Sequence, residues 1–188
     1  MSLYRAAKRS GRLFVFDLYG AAIAAATGRP NTIPQASCDG CRVFVPLNQR
    51  IKIKRSGEFQ RIDNVKEDRI YVDDLAKRSA ELVLTFRESM TSELDIADCL
   101  DGAAAVWSMW PGYLEEPSGV KLREWFSAHS IPLHLIHSSG HADVKDLQRF
   151  ARAVDARQVV PVHTLAFARY AEHFANTHLH ADGEWWSP

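Results

Sequence analysis

The sequence predicts an α/β fold: a single three-layer domain over residues 1–188, its mainly parallel sheet covered by helices on both faces. Three observations predict it. Short continuous apolar runs, such as Leu13-Phe14-Val15-Phe16 and Leu82-Val83-Leu84-Thr85-Phe86, lack the alternation of a half-exposed strand. Segments of helical character lie between these runs. Of the 188 residues, 46% are hydrophobic, enough to bury one sizeable core.

Taken in order, a basic start leads through Gly11 into the first strand, Leu13 to Phe16. Asp17 to Thr27 holds five alanines and no proline, so it reads as a helix, closed by Gly28-Arg29-Pro30. Asn31 to Gly40 is rich in turn residues. Val43 to Pro46 is the second strand, and the charged stretch Asn48 to Ala80 reads as two helices with a turn near Asp63-Asn64. Leu82 to Phe86 and Ala103 to Trp107 follow as strands, Gly119 to His129 as an amphipathic helix, and Pro132 to His137 as the fifth strand. Val144, Leu147, Phe150 and Val154 recur at helical spacing within Asp143 to Val154. Gln158 to Val162 reads as a sixth strand and Leu165 to Ala175 as the last helix. Asp182-Gly183 is a turn signal able to join two short strands in the tail.

Lys+Arg and Asp+Glu both count 23, so the net charge is zero, without the footprint of a strongly basic nucleic-acid binder. Neutrality still leaves room for a local basic groove, and Lys52, Lys54, Arg55 and Arg61 lie close together. No apolar run approaches the roughly 20 residues of a membrane span, and Met1 to Arg12 has no apolar core of signal-peptide length. Three cysteines cannot all pair within one chain. The expectation is a cytoplasmic protein with reduced thiols and no membrane partner. Cys38-Asp39-Gly40-Cys41 has the spacing of a zinc knuckle, but no second pair follows at matching spacing, so a turn with two free thiols is the better reading.

The chemistry concentrates near the C-terminus, in Ser138-Ser139-Gly140-His141-Ala142 and Pro161-Val162-His163-Thr164. Each places a histidine just past an apolar run, with a helix between. Two strand-end histidines joined by a strand-helix-strand unit face one rim of a parallel sheet. Imidazole titrates near neutral pH, which suits proton transfer, and its neutral nitrogen is a good zinc ligand.

Ile136 to Ala142, Asp146-Leu147 and Val159 to Thr164 together resemble the C-terminal half of β-CASP nucleases. These are metallo-β-lactamase-fold hydrolases such as ribonuclease J and the cleavage-and-polyadenylation endonuclease. Phe14 to Ala21 and Trp107 to Leu114 resemble the inserted Rossmann-like part of that family. The resemblance divides the chain at about residue 130: 11–130 resembles the β-CASP insertion, and 131–188 the C-terminal return to the metallo-β-lactamase fold. It implies His141 as the proton donor in phosphodiester cleavage and His163 as a zinc ligand. Ser138, Ser139 and Gly140 then offer hydroxyls and open backbone to a phosphate. Arg87, leaving a strand, and Ser108, beside another strand end, are further substrate-binding candidates. Asp143 stands where many relatives carry Ser; an acid there repels a phosphate unless it points into the N-terminus of the following helix, where it serves as a cap.

A two-metal hydrolase holds its ions about 3.5–4 Å apart with several His and Asp ligands. The family supplies most of these from an N-terminal His-x-His-x-Asp-His segment, and the sequence is expected to begin after it. His178-Leu179-His180-Ala181-Asp182-Gly183 is similar but carries Gly where the last His belongs. The expectation is therefore the C-terminal portion of a zinc-dependent hydrolase acting on nucleic acid, inactive alone. Zinc would be held only in the complete enzyme, and weakly or not at all by this chain. Its partners would be nucleic acid, an N-terminal metallo-β-lactamase lobe or a second copy. The alternative is a non-catalytic α/β interaction or nucleic-acid-binding module. A third grouping, a separate hydrolase site of Asp17, Arg87, Ser108 and His141, is enforced by no spacing. Trp107, Trp110 and Tyr113 read as base-stacking rings or as core.

Overall fold

Parallel strands rich in Val, Phe and Leu bury both of their faces, and the first strand does so most completely. The structure, a computed structural model, describes residues 2–137, 140, 142–162 and 164–187. It falls into two compact units, residues 1–136 and 137–188.

In the first unit, β1 (Leu13–Asp17), β2 (Cys41–Phe44), β3 (Arg69–Ile70) and β4 (Leu82–Leu84) form one parallel sheet in the order β3-β2-β1-β4. Phe14 pairs with Cys41 and Phe16 with Val43 on one side of β1, while Val15 pairs with Leu84 on the other. The period of two then sorts the core. Phe14, Phe16, Cys41 and Val43 face one layer of helices, and Val15, Phe44 and Ile70 the other. The first layer comprises α1 (Ser2–Arg9), α2 (Leu18–Ala26) and α3 (Leu47–Ser56), which bury Ala7, Leu18, Ala21, Ala24 and Ile53 against the sheet. A short helix, α4 (Gln60–Asp63), follows α3. The opposite layer holds α5 (Val72–Arg78) and α6 (Thr91–Ala97), with Leu75 and Leu94 buried beside Met90. The predicted three layers are present in this unit.

Local signals explain the ends of these helices. Asp17 caps α2 by accepting from the Gly20 N–H at 3.0 Å. Gly57, at φ +75°, ends α3 in the left-handed conformation that a side chain would penalise. Gly119 is needed for a different reason. A Cβ there would lie 2.2 Å from the Tyr113 carbonyl oxygen, so only glycine lets α7 (Pro117–Ala128) close on the preceding turn.

α7 lays Leu122 and Phe126 over a second, two-stranded parallel sheet of β5 (Ala105–Trp107) and β6 (Leu133–Leu135). Phe86, just past β4, stacks on Trp125 at 5.7 Å and also packs against Phe126, tying the two sheets together.

The second unit holds α8 (Val144–Val154), capped by Asp143, which accepts from the Asp146 N–H at 2.9 Å and so takes the capping orientation of the two left open by the sequence. No described residue of 137–188 is buried, and the apolar stripe of α8 is open, with Phe150 69% exposed.

Several elements differ from the expectations. The predicted sixth strand, Gln158 to Val162, is reduced to one bridge between Val159 and Thr177. An apolar run becomes a strand only where a neighbour accepts its N–H and C=O groups, and among the described residues only Val159 finds such a neighbour. Leu165 to Ala175 forms a 3-10 turn at Phe167–Glu172, and the tail forms no strand among the described residues. α1 and β3 were not anticipated.

The Cys38 to Cys41 segment is a turn into β2, its Cys41 N–H donating to the Cys38 carbonyl at 2.9 Å. Burial, with Cys38 adding to it, pushes the Cys41 thiol from 9.0 up to about 11. Below pH 9 the thiol keeps its proton in both the folded and unfolded chain. Between pH 9 and 11 the unfolded chain releases it first, so stability falls as pH rises through that window. Thermal melts are expected to decline less steeply over this window in Cys41→Ala than in the parent protein.

Candidate functional site

Ligands of doubly wound sheets bind outside the carboxyl ends of the strands, where the strand order reverses. Here the reversal lies between β1 and β4, and a polar network fills that rim. Asp17 ends β1 with its side chain 2% exposed. One carboxylate oxygen accepts from the Gly20 N–H; the other accepts from Arg87 Nε at 2.5 Å and Gln49 Nε2 at 2.7 Å. The Thr85 hydroxyl accepts from the Asp17 N–H at 2.8 Å and donates to the Val15 carbonyl at 3.1 Å. β4 thus delivers Arg87 to Asp17. The Arg87 guanidinium also lies 5.1 Å from the ring centre of Tyr19, which is 57% exposed.

A second buried acid anchors the neighbouring helix. Glu93 of α6 accepts from the Leu47 N–H at 2.7 Å and from Arg50 Nη2 at 2.7 Å, fixing the first turn of α3. Asn48 Nδ2 donates to the Ser89 hydroxyl at 2.9 Å. Among the described residues Asn48 Oδ1 and Gln49 Oε1 are buried without a partner, leaving two acceptors at this rim. The sequence paired Asp17 with Arg87 in one of its groupings but missed Gln49 and Glu93. Both look like ordinary polar residues of a charged stretch.

Of the other candidates, Ser138, Ser139, His141 and His163 lie outside the described residues. Gly140 is exposed, and a Cβ there would meet nothing within 4 Å, so its backbone is open to approach. Ser108 directly follows β5. The three aromatic candidates divide. Trp107 packs against the α7 core, whereas Trp110 and Tyr113 meet edge to face at 5.6 Å and remain 60% and 47% exposed.

The His178-x-His180 look-alike belongs to a tail turn. His180 Nδ1 lies 3.1 Å from Glu184 Oε1, and its ring stacks on Trp186 at 4.9 Å. The Glu184 carboxyl is held below its usual range, first by the Ala181 N–H and then by His180. Another imidazole–carboxylate pair, unforeseen from the sequence, joins His129 Nε2 to Asp95 Oδ1 at 3.1 Å, with Trp125 Nε1 donating to the same oxygen.

Among the described residues, no three His, Cys, Asp or Glu side chains converge where a metal could sit. Each imidazole–carboxylate pair supplies one nitrogen and one carboxylate, and Asp17 is filled by Arg87, Gln49 and Gly20. These described residues do not fit a zinc ion by themselves.

Residues 133–182 match the model of RMMBL, the Zn-dependent metallo-hydrolase RNA specificity domain. The match runs from β6 through α8 to the tail turn, and it supports a metallo-β-lactamase-family C-terminal region there. No curated protein and no solved structure matches the chain. No helix of the described residues is long and apolar enough to cross a membrane.

Proposed function

We propose that this chain is the C-terminal portion of a zinc-dependent metallo-β-lactamase-fold nuclease of the β-CASP kind, acting on RNA by phosphodiester cleavage. The observation that carries the reading is the match of residues 133–182 to an RNA specificity domain of zinc-dependent metallo-hydrolases. In this reading 11–130 is the inserted Rossmann-like part and 131–188 the return to the hydrolase fold. His141 protonates the leaving oxygen, and His163 is one zinc ligand among several held by an N-terminal lobe. Ser138, Ser139 and the open backbone of Gly140 approach the phosphate, with Arg87 and Ser108 as further contacts.

One feature of the structure supports this reading: the strand order β3-β2-β1-β4 is that of a doubly wound sheet, the architecture expected of a Rossmann-like insertion.

Zinc titration and an RNA cleavage assay test the proposal. The chain alone is expected to hold zinc weakly and leave RNA intact. Addition of a metallo-β-lactamase lobe carrying His-x-His-x-Asp-His is expected to give cleavage that His141→Ala and His163→Ala abolish. Tight stoichiometric zinc with robust cleavage by the chain alone would overturn the division of the site. Full activity of both variants in the reconstituted enzyme would overturn their roles.

A further inference from the structure

Residues 1–64 carry eleven Lys and Arg but only four Asp and Glu, whereas the whole chain has 23 of each. The neutral total therefore hides a strong separation of charge, and the fold gathers the positive part. α1 contributes Arg5, Lys8 and Arg9, and α3 contributes Arg50, Lys52, Lys54 and Arg55, with no acidic residue in either helix. Both helices press on the same face of the sheet, Ala7 and Ile53 being buried in one cluster with Phe14 and Val43. α2, which has no charged residue, joins them on that face.

Arg50 is paired with Glu93 of α6, and little within this stretch neutralises the remaining cations. Of its four acids, Asp17 is buried against Arg87 and Glu58 is paired with Arg61. Arg5, Lys8, Arg9, Lys52, Lys54 and Arg55 are exposed, and none forms an ion pair among the described residues. Compensation of the helix dipole explains cations in a last turn, such as Lys8, Arg9, Lys54 and Arg55. It does not explain Arg5 or Lys52, nor the lack of balancing acids.

We infer that the α1–α3 face is a docking surface for a nucleic-acid backbone, separate from the rim at the carboxyl ends of the strands. The choice of nucleic acid as the polyanion rests on the RNA reading above. α1, α2 and α3 lie on one side of the sheet, each burying residues in the same cluster, so the two basic helices belong to one layer. Cations on such a face grip phosphate without reading sequence, and Phe59, 55% exposed just beyond α3, offers a ring to an adjacent base. An anionic membrane is the competing partner: Ala7, Tyr4 and Ile53 are packed in the sheet core, which leaves Leu3 and Ile51, 41% and 39% exposed, as the apolar side chains that α1 and α3 offer to a bilayer.

The test is anisotropy of labelled single-stranded RNA bound by the full chain over a series of salt concentrations. Lys52→Ala/Lys54→Ala/Arg55→Ala is expected to weaken binding about tenfold and to flatten the dependence of log K on log[salt] by about 2. Arg5→Ala/Lys8→Ala/Arg9→Ala is expected to act in the same direction from the other side of the face. Lys77→Ala/Lys121→Ala, on helices away from this layer, is expected to change neither quantity. Thermal melts matching the parent confirm that each variant is folded, and the two triple variants check one another. RNA binding with parental affinity and salt slope in both triples would overturn the surface while leaving the proposed function standing. Absence of RNA binding by the parent at low salt would also overturn it, and zinc-dependent cleavage then judges the proposed function separately. Preferential binding to phosphatidylserine vesicles would overturn it in favour of a membrane.

Discussion

Arg87→Ala is expected to destabilise the protein by about 2–4 kcal/mol, because it strands the Asp17 carboxylate in the core. The Asp17 side chain is 2% exposed, so water cannot replace the lost guanidinium. Gln49 and the Gly20 N–H remain, but neither carries charge. Arg87 itself is 44% exposed, which screens its half of the pair and places the cost below the upper range for buried ion pairs. Urea denaturation provides the measurement. Adding Asp17→Asn to Arg87→Ala is expected to recover part of the loss, since it removes the stranded charge while keeping an acceptor for the α2 cap. A loss below about 0.5 kcal/mol for Arg87→Ala would show that the pair does not hold the rim.

Phe126→Ala is expected to cost about 3–5 kcal/mol, the range for emptying a large buried aromatic site. Phe126 is 6% exposed and lies between Phe86, which follows β4, and the side chains of β5 and β6. Its loss removes the contacts that tie the two sheets and leaves Trp125 without one of its ring neighbours. Near-UV circular dichroism of the tryptophans is expected to fall along with the denaturation midpoint. An unchanged signal and midpoint would mean that the cluster collapses without penalty.

What the sequence disclosed follows from how each element is stabilised. β1, β4 and β6 lie within apolar runs bounded by turn residues, and α2, α7 and α8 follow from alanine content, spacing and caps. β3 is two residues long and exists because β2 accepts it in register, Val43 against Arg69; no local pattern announces such a strand. α1 looks like a charged leader until Ala7 and Tyr4 are seen packed in the sheet core. The predicted strand at Gln158 to Val162 had the right composition, but its pairing depends on a neighbour that composition cannot supply.

The site was legible in a similar, partial way. Asp17 and Arg87 are 70 residues apart, and only the adjacency of β1 and β4 brings them together. Glu93 reads as one acid among many in α6, yet it orders the start of α3. The histidines that carry the family resemblance, His141 and His163, rest on their motifs. The match over residues 133–182 includes both positions.

In the proposed function residues 133–182 confer recognition of RNA, while the proposed α1–α3 face grips the backbone without regard to sequence. The most direct measurement compares the affinity of the full chain for single-stranded RNA and for DNA of the same sequence, at the same salt concentration. Contacts to the 2′-hydroxyl are what allow a protein to tell the two apart. The account predicts tighter binding of RNA at every salt concentration, with the preference surviving Lys52→Ala/Lys54→Ala/Arg55→Ala. Equal affinity for the two polymers, or tighter binding of DNA, would contradict it.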